Sequence, residues 1–183
     1  MTLNKLFATV LISVATLSSA SFVMAAEGSK ATYKAAEDAA DATYKADKAK
    51  CDSLSGNEKD VCLKQAKATR EHTKQDAKAQ YKNTPKAAAD ARKSEADADY
   101  AVAREKCNAQ AGNAKDVCVK EAKAAKTDAV ANAKAHKDVT EARTDANKEK
   151  NDAAYSVAVE KCNSKAGPSK DACINSAKLQ FNQ

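Results

Sequence analysis

Lys106-Cys107-Asn108-Ala109-Gln110-Ala111-Gly112-Asn113-Ala114-Lys115-Asp116-Val117-Cys118 is the stretch that decides the fold. It reads as a helix, a tight turn and a second helix, with one cysteine on each arm. Gly112 suits the left-handed residue at which a helix ends, and Asn113 with Asp116 three residues on is a start signal for the next one. Cys107 lies five residues before that glycine and Cys118 six after it. In an antiparallel hairpin the two sulfurs then fall at about the same height, where a disulfide is geometrically natural.

The stretch occurs three times. The other copies run from Cys51 to Cys62, turning at Gly56-Asn57 with Asp60, and from Cys162 to Cys173, turning at Gly167-Pro168 with Asp171. The shift is 56 residues from the first copy to the second and 55 from the second to the third, and Tyr44, Tyr100 and Tyr155 each stand seven residues before the first cysteine. Such a period marks an array of supersecondary units. The expected fold is therefore all-α: three tandem helical hairpins of about 55 residues each, extended, each closed by a Cys-x10-Cys disulfide. Hairpin one covers residues 26–83, hairpin two 84–138 and a truncated hairpin three 139–183, after a signal peptide at 1–25.

Composition agrees. Among 183 residues there is no Trp and only 3 Phe, so a thick hydrophobic core is excluded. Alanine supplies roughly a quarter of the chain, interleaved with Lys, Asp and Glu, as in long or coiled helices. Disorder is the competing reading of such a composition, but the net charge of +6 is small for the length and the hairpin signals recur in register. The 31 basic and 25 acidic residues are intermixed, which argues against a nucleic-acid binder. Acid-first pairs such as Asp41/Lys45, Asp60/Lys64 and Asp116/Lys120 suit a solvated helical surface.

Residues 1–25 carry Lys5, an apolar run from Leu6 to Leu17 and the ending Val23-Met24-Ala25, a secretory cleavage pattern with the cut after Ala25. An uncleaved anchor is the alternative, since Leu6 to Ala26 is long enough to cross a bilayer. No later stretch reads as a membrane span. Export to an oxidising compartment turns the six cysteines, Cys51, Cys62, Cys107, Cys118, Cys162 and Cys173, into structural disulfides. A metal-thiolate site and a reversible thiol function are the competing readings. The ten-residue gap is not a common zinc-ligand spacing, and His72 and His136 occupy non-equivalent positions in their repeats.

Thr84-Pro85 marks a boundary, with Pro at the first helical position and Thr as its cap. From Asn113 to Ala166 there is no Gly or Pro. That segment is one continuous helix or breaks near Asp138-Val139-Thr140, and the alignment of Thr140 with Pro85 between repeats favours a kink or short break. The expected inward stripe of hairpin two is Ala89, Ala96, Tyr100, Ala103 and Cys107 on one arm, and Cys118, Ala122, Ala125, Ala129 and Ala133 on the other. Tyr33 and Tyr44, eleven residues apart in a local echo, share a helix face. Tyr44, Tyr100 and Tyr155 read as packing over alanines, with an aromatic platform for a glycan or peptide as the functional alternative.

After the second cysteine of repeats one and two comes a basic row: Lys64, Lys67, Arg70 and Lys74, then Lys120, Lys123 and Lys126. It is the candidate contact for anionic lipid or envelope polymer, and a plain solvated face is the alternative. No paired carboxylates, activated nucleophile, phosphate loop or metal cluster assembles from the sequence. The expected protein is not an enzyme and carries no cofactor.

The residues Gly-Asn-x-Lys-Asp-Val-Cys-(Leu/Val)-Lys-x-Ala-Lys at 56–67 and 112–123 resemble those of small Ala/Lys-rich periplasmic proteins of Gram-negative bacteria labelled cell envelope biogenesis protein TolA-like. The resemblance covers essentially the whole chain after the signal segment. It implies an exported, helical, non-enzymatic periplasmic protein acting as a cell-envelope scaffold or interaction protein, with envelope proteins, peptidoglycan or an anionic lipid surface as partners. The cysteine hairpins are a departure from TolA itself. Two further readings stand beside it: a stress- or desiccation-protective helical protein, favoured by the eleven-residue echo, and a periplasmic thiol redox or metal-buffering protein.

Overall fold

A computed structural model describes residues 29–183; the signal peptide expected at 1–25 lies outside the described residues. Five α-helices follow in order, α1 Lys30–Cys51, α2 Gly56–Lys82, α3 Pro85–Lys106, α4 Gly112–Cys162 and α5 Pro168–Phe181, with a 3-10 turn at Cys107–Ala109. The fold is all-α. Disulfides join Cys51 to Cys62, Cys107 to Cys118 and Cys162 to Cys173, with Cα–Cα distances of 5.6, 5.7 and 5.7 Å. The pairing is the nearest-neighbour one that the hairpin spacing dictates.

The glycines act one step later than the sequence suggests. The first arm of each hairpin ends at or just after its cysteine, and Gly56, Gly112 and Gly167, with φ of 53°, 55° and 55°, sit where the second arm begins. A positive φ turns the chain into the new helix, and a β-carbon there would be strained although nothing lies within 4 Å to collide with it. Nor does the following asparagine cap: no side-chain cap bond forms at the start of α2 or α4. Asn57 Oδ1 is instead buried without a partner.

Hydrogen bonds hold the other ends. Ser29 Oγ accepts from the Thr32 backbone N–H at 3.0 Å to start α1. Between α2 and α3, Asn83 adopts the left-handed conformation (φ 44°, ψ 48°) and its N–H donates to Ala79 O at 2.8 Å. Thr84 Oγ1 accepts from the Ala87 N–H at 3.1 Å, and Pro85 occupies the first turn. These three residues send α3 back along α2.

Each helix packs on its neighbour in sequence, α1 on α2, α2 on α3, α3 on α4 and α4 on α5. Hairpins one and two therefore lie side by side as an open layer, with α2 and α3 each covered on two faces. That explains which side chains are buried: Ala87, Ala91, Ala96 and Val102 on α3, Ala66 and Ala68 on α2, one alanine each on α1, α4 and α5, and the first cysteine of each pair. Of the expected inward stripe, Ala96, Cys107 and Ala133 are buried, Ala89, Tyr100, Ala103, Cys118 and Ala122 are half-buried, and Ala125 and Ala129 are exposed. On α4 the inward positions pass through Lys126 and Val130, one residue on from the alanines expected there, and each residue turns the helix by about 100°. Ala87, Ala91 and Val102 were not in the stripe because α2, which contributes to covering α3, belongs to the preceding repeat.

The largest departure is α4. Its 51 residues run without interruption through Asp138-Val139-Thr140, so the boundary at 138/139 falls inside a helix roughly 77 Å long at 1.5 Å per residue. The gap from Cys62 to Cys107 holds 44 residues and that from Cys118 to Cys162 holds 43. The missing residue removes the three-residue turn. Where the first gap has Asn83-Thr84-Pro85, the second has only Val139-Thr140; β-branched Val resists the left-handed conformation, and Thr140 Oγ1 donates to His136 O at 2.8 Å as a residue inside a helix does. The last helix, α5, consequently packs on the C-terminal part of α4.

Candidate functional site

Each hairpin is locked at two levels. At its tip is the disulfide; two turns further along, the tyrosine seven residues before the first cysteine meets the residue eight after the second. In hairpin one the Arg70 guanidinium lies 4.3 Å over the Tyr44 ring, in hairpin two Lys126 Nζ lies 5.4 Å over Tyr100, and in hairpin three Tyr155 meets Phe181 edge-on at 6.3 Å. One position thus carries three solutions to the same problem, covering an aromatic face where alanines leave a gap. Tyr33 closes the open end of hairpin one by stacking on Tyr81 at 5.2 Å, while its hydroxyl donates to Glu37 at 2.7 Å. That bond, with some desolvation and the Glu37 charge, raises the Tyr33 pKa.

This geometry divides the basic row. Arg70 and Lys74 both approach Asp41 (3.7 and 2.8 Å), and Lys126 pairs with Asp97 at 2.5 Å. The Lys74 hydrogen bond, then the charges of Lys74, Arg70 and Lys45, hold the Asp41 carboxyl below its ordinary range against a smaller desolvation effect. Arg70 and Lys126 are thus engaged inside their hairpins. Lys64, Lys67, Lys120 and Lys123 are exposed. Lys64 and Lys67 border a shallow groove between α2 and α3 that also presents Glu71 and Asp97. At the tips, a second open groove of about 630 Å³ runs between hairpin one and the end of α3, past Val61, Gln65, Ala66, Lys106 and Ala109.

The α2–α3 seam holds a charge cluster that repeat-by-repeat reading misses. His72 Nε2 lies 3.0 Å from Asp99 Oδ1, close enough for an ion pair when the imidazole is protonated, yet not aligned as a hydrogen bond. Glu95 Oε1 is buried without a partner. Desolvation first, then the charge of Asp76 and the bond that a protonated Glu95 makes to it, raise the Glu95 pKa; Asp99 adds to the rise and His72 opposes it. No spacing rule brings these residues together, because they meet only through the Asn83-Thr84-Pro85 turn.

The cluster sets a pH dependence. A carboxyl with a raised folded-state pKa contributes stability that is present below the ordinary glutamate value and lost as pH rises through the folded one. Asp41, Asp90 and Asp152, lowered chiefly by hydrogen bonds from Lys74, Lys86 and Lys148, act oppositely: their contribution is present above the ordinary aspartate value and fades as pH falls through the lowered one. Glu95→Gln should raise the melting temperature by a few degrees at pH 7.5 and change it little near pH 4. Circular-dichroism melts at both pH values check this, and an equal effect at both would contradict it.

No family model, curated protein or solved structure matches the chain. What the site can do follows from its own chemistry. Among the described residues all six cysteines are bonded in pairs, no group of three or more His, Cys, Asp or Glu is placed to hold a metal ion, and no helix is long and apolar enough to cross a membrane. What the described residues present is a long, charged, disulfide-pinned helical surface.

Proposed function

We propose that the protein is an exported, non-enzymatic scaffold or interaction protein of the bacterial cell envelope, TolA-like in kind, which works through its helical surface in the periplasm. The observation that carries this reading is the threefold recurrence of one hairpin with the same crosslink and the same tyrosine position. Crosslinking of this kind belongs to an oxidising compartment, and it fixes a shape where the alanine core alone supplies little burial. The pairing of all six cysteines favours a shaped scaffold over thiol or metal buffering. The contact surface in this reading is Lys64, Lys67, Lys120 and Lys123, the members of the basic row left free of the hairpin interiors.

Co-sedimentation with peptidoglycan and with outer-membrane vesicles tests it. Exposed charges are screened beyond roughly 8–10 Å at physiological ionic strength, so retention should be strong at low salt and weak at high salt. Changing Lys64, Lys67, Lys120 and Lys123 together to Gln should reduce retention severalfold and leave the helical signal intact. A protein that stays in the supernatant at low salt, and preserves a labile enzyme through drying, would replace this reading with the protectant one. Titratable thiols in protein isolated without reductant would replace it with the buffering one.

A further inference from the structure

The uninterrupted α4 leaves one long face uncovered. On its N-terminal half this face carries Val117, Glu121, Asp128 and Val139, and on its C-terminal half Arg143, Lys150, Val157 and Lys161, all exposed. Steps of three and four keep them on one side of the helix, away from α3 and from α5. The face repeats the α2–α3 seam. Moving 56 residues on from α2 and 55 on from α3, the shifts that superpose the cysteines, turns His72 and Asp99 into Asp128 and Ala154, and turns Val102 into Val157. Val102 is 5% exposed in that seam, whereas Val157 is 55% exposed, Val139 51% and Val117 44%. The chain holds both halves of a second such seam but, lacking a turn at Val139-Thr140, cannot bring them together within one molecule.

We propose that a second copy of this chain covers that face: two α4 helices pair antiparallel about a two-fold axis near Glu141, the N-terminal half of each against the C-terminal half of the other. This is the exchange expected when a hinge that folds a repeat back is straightened, and it gives a self-complementary interface. Charge selects the antiparallel arrangement. Along the middle of the face the N-terminal half carries Glu121 and Asp128 and the C-terminal half Arg143, Lys150 and Lys161, while at its edge, where the same shifts carry the residues bordering the α2–α3 groove, Lys120 and Lys123 stand on the first half and Glu149 and Asp152 on the second. The register of the α2–α3 seam puts Glu121 opposite Lys161, in place of Gln65 and Lys106, which border the same groove within the chain. It also puts Asn132 opposite Lys150 where the seam has Asp76 facing Glu95, so the carboxylate repulsion of the internal seam is absent from the pairing between copies. A parallel pair would instead set Lys150 against Lys150 and Glu121 against Glu121, which is unfavourable.

Sedimentation equilibrium of the oxidised chain lacking residues 1–25, at tens of micromolar, tests this. The expected mass is twice that of one chain. Val157→Lys and Lys161→Glu should each shift the mass toward that of one chain, with the circular-dichroism spectrum confirming that the helices persist. Glu121→Lys combined with Lys161→Glu should restore the pair. Replacing Val139 with Asn and inserting Pro after Thr140 rebuilds the first repeat's turn. Hairpin three then folds back on its own α4, giving a single-chain mass and a smaller hydrodynamic radius than an extended chain. A native chain that sediments as one copy, or charge variants that leave a doubled mass unchanged, would overturn the proposal.

Discussion

Reducing the three disulfides should dismantle the hairpins in order of how little else holds them, with hairpin three first. Each bridge closes a short loop, with its cysteines 11 residues apart, and by the chain-entropy account contributes about 3 kcal/mol. Against that stand few buried side chains, mostly alanines. The α5 helix has 14 residues and, among the described residues, α4 is its main packing partner, and isolated helices shorter than roughly 12–15 residues are marginal in water. Its Asn151–Phe181 hydrogen bond (2.8 Å) and Tyr155–Phe181 contact are lost once the tip opens. Hydrogen exchange on Cys162→Ala/Cys173→Ala should show α5 amides unprotected while α2 and α3 stay protected. Full reduction should lower the melting temperature by tens of degrees and leave partial helicity in α4. Unchanged protection in α5 would show that packing alone holds it.

The second large effect is steric. Ala91 on α3 is 3% exposed in one of the two inner helices of the layer, where a methyl group is what permits close approach. Ala91→Leu adds three carbons with nowhere to go, and overpacking of this kind costs about 1–3 kcal/mol, or a fall in melting temperature of about 2–12 °C for a chain of this size. Ala46→Leu, on the exposed face of α1, is the matched control and should be nearly neutral. Equal effects from the two would contradict the placement of α3 between α2 and α4.

The hairpins and crosslinks are legible in the sequence because both rest on local spacing: a glycine between two cysteines, read three times. The helix start at Thr84-Pro85 is legible for the same reason. What the repeats do to one another is not. The α2–α3 seam depends on three residues at 83–85, and its charge cluster of His72, Asp76, Glu95 and Asp99 follows from tertiary contact rather than from any motif. The kink or short break expected near Asp138-Val139-Thr140 rests on the alignment of Thr140 with Pro85, but alignment carries position and not conformation. Val139-Thr140 lacks both the left-handed asparagine and the proline, and the helix continues. Likewise the basic row is a row only in sequence: Arg70 and Lys126 turn inward because Tyr44, Tyr100, Asp41 and Asp97 are there to meet them.

The central claim is that shape in this protein is fixed by three crosslinked hairpins on a helical chain. Peptide mapping of protein extracted from its native compartment with thiols blocked and no reductant tests it most directly. The account predicts three linked peptides, Cys51 with Cys62, Cys107 with Cys118 and Cys162 with Cys173, and no blocked thiol. Cysteines recovered mainly as free thiols, or linked between repeats, would contradict it.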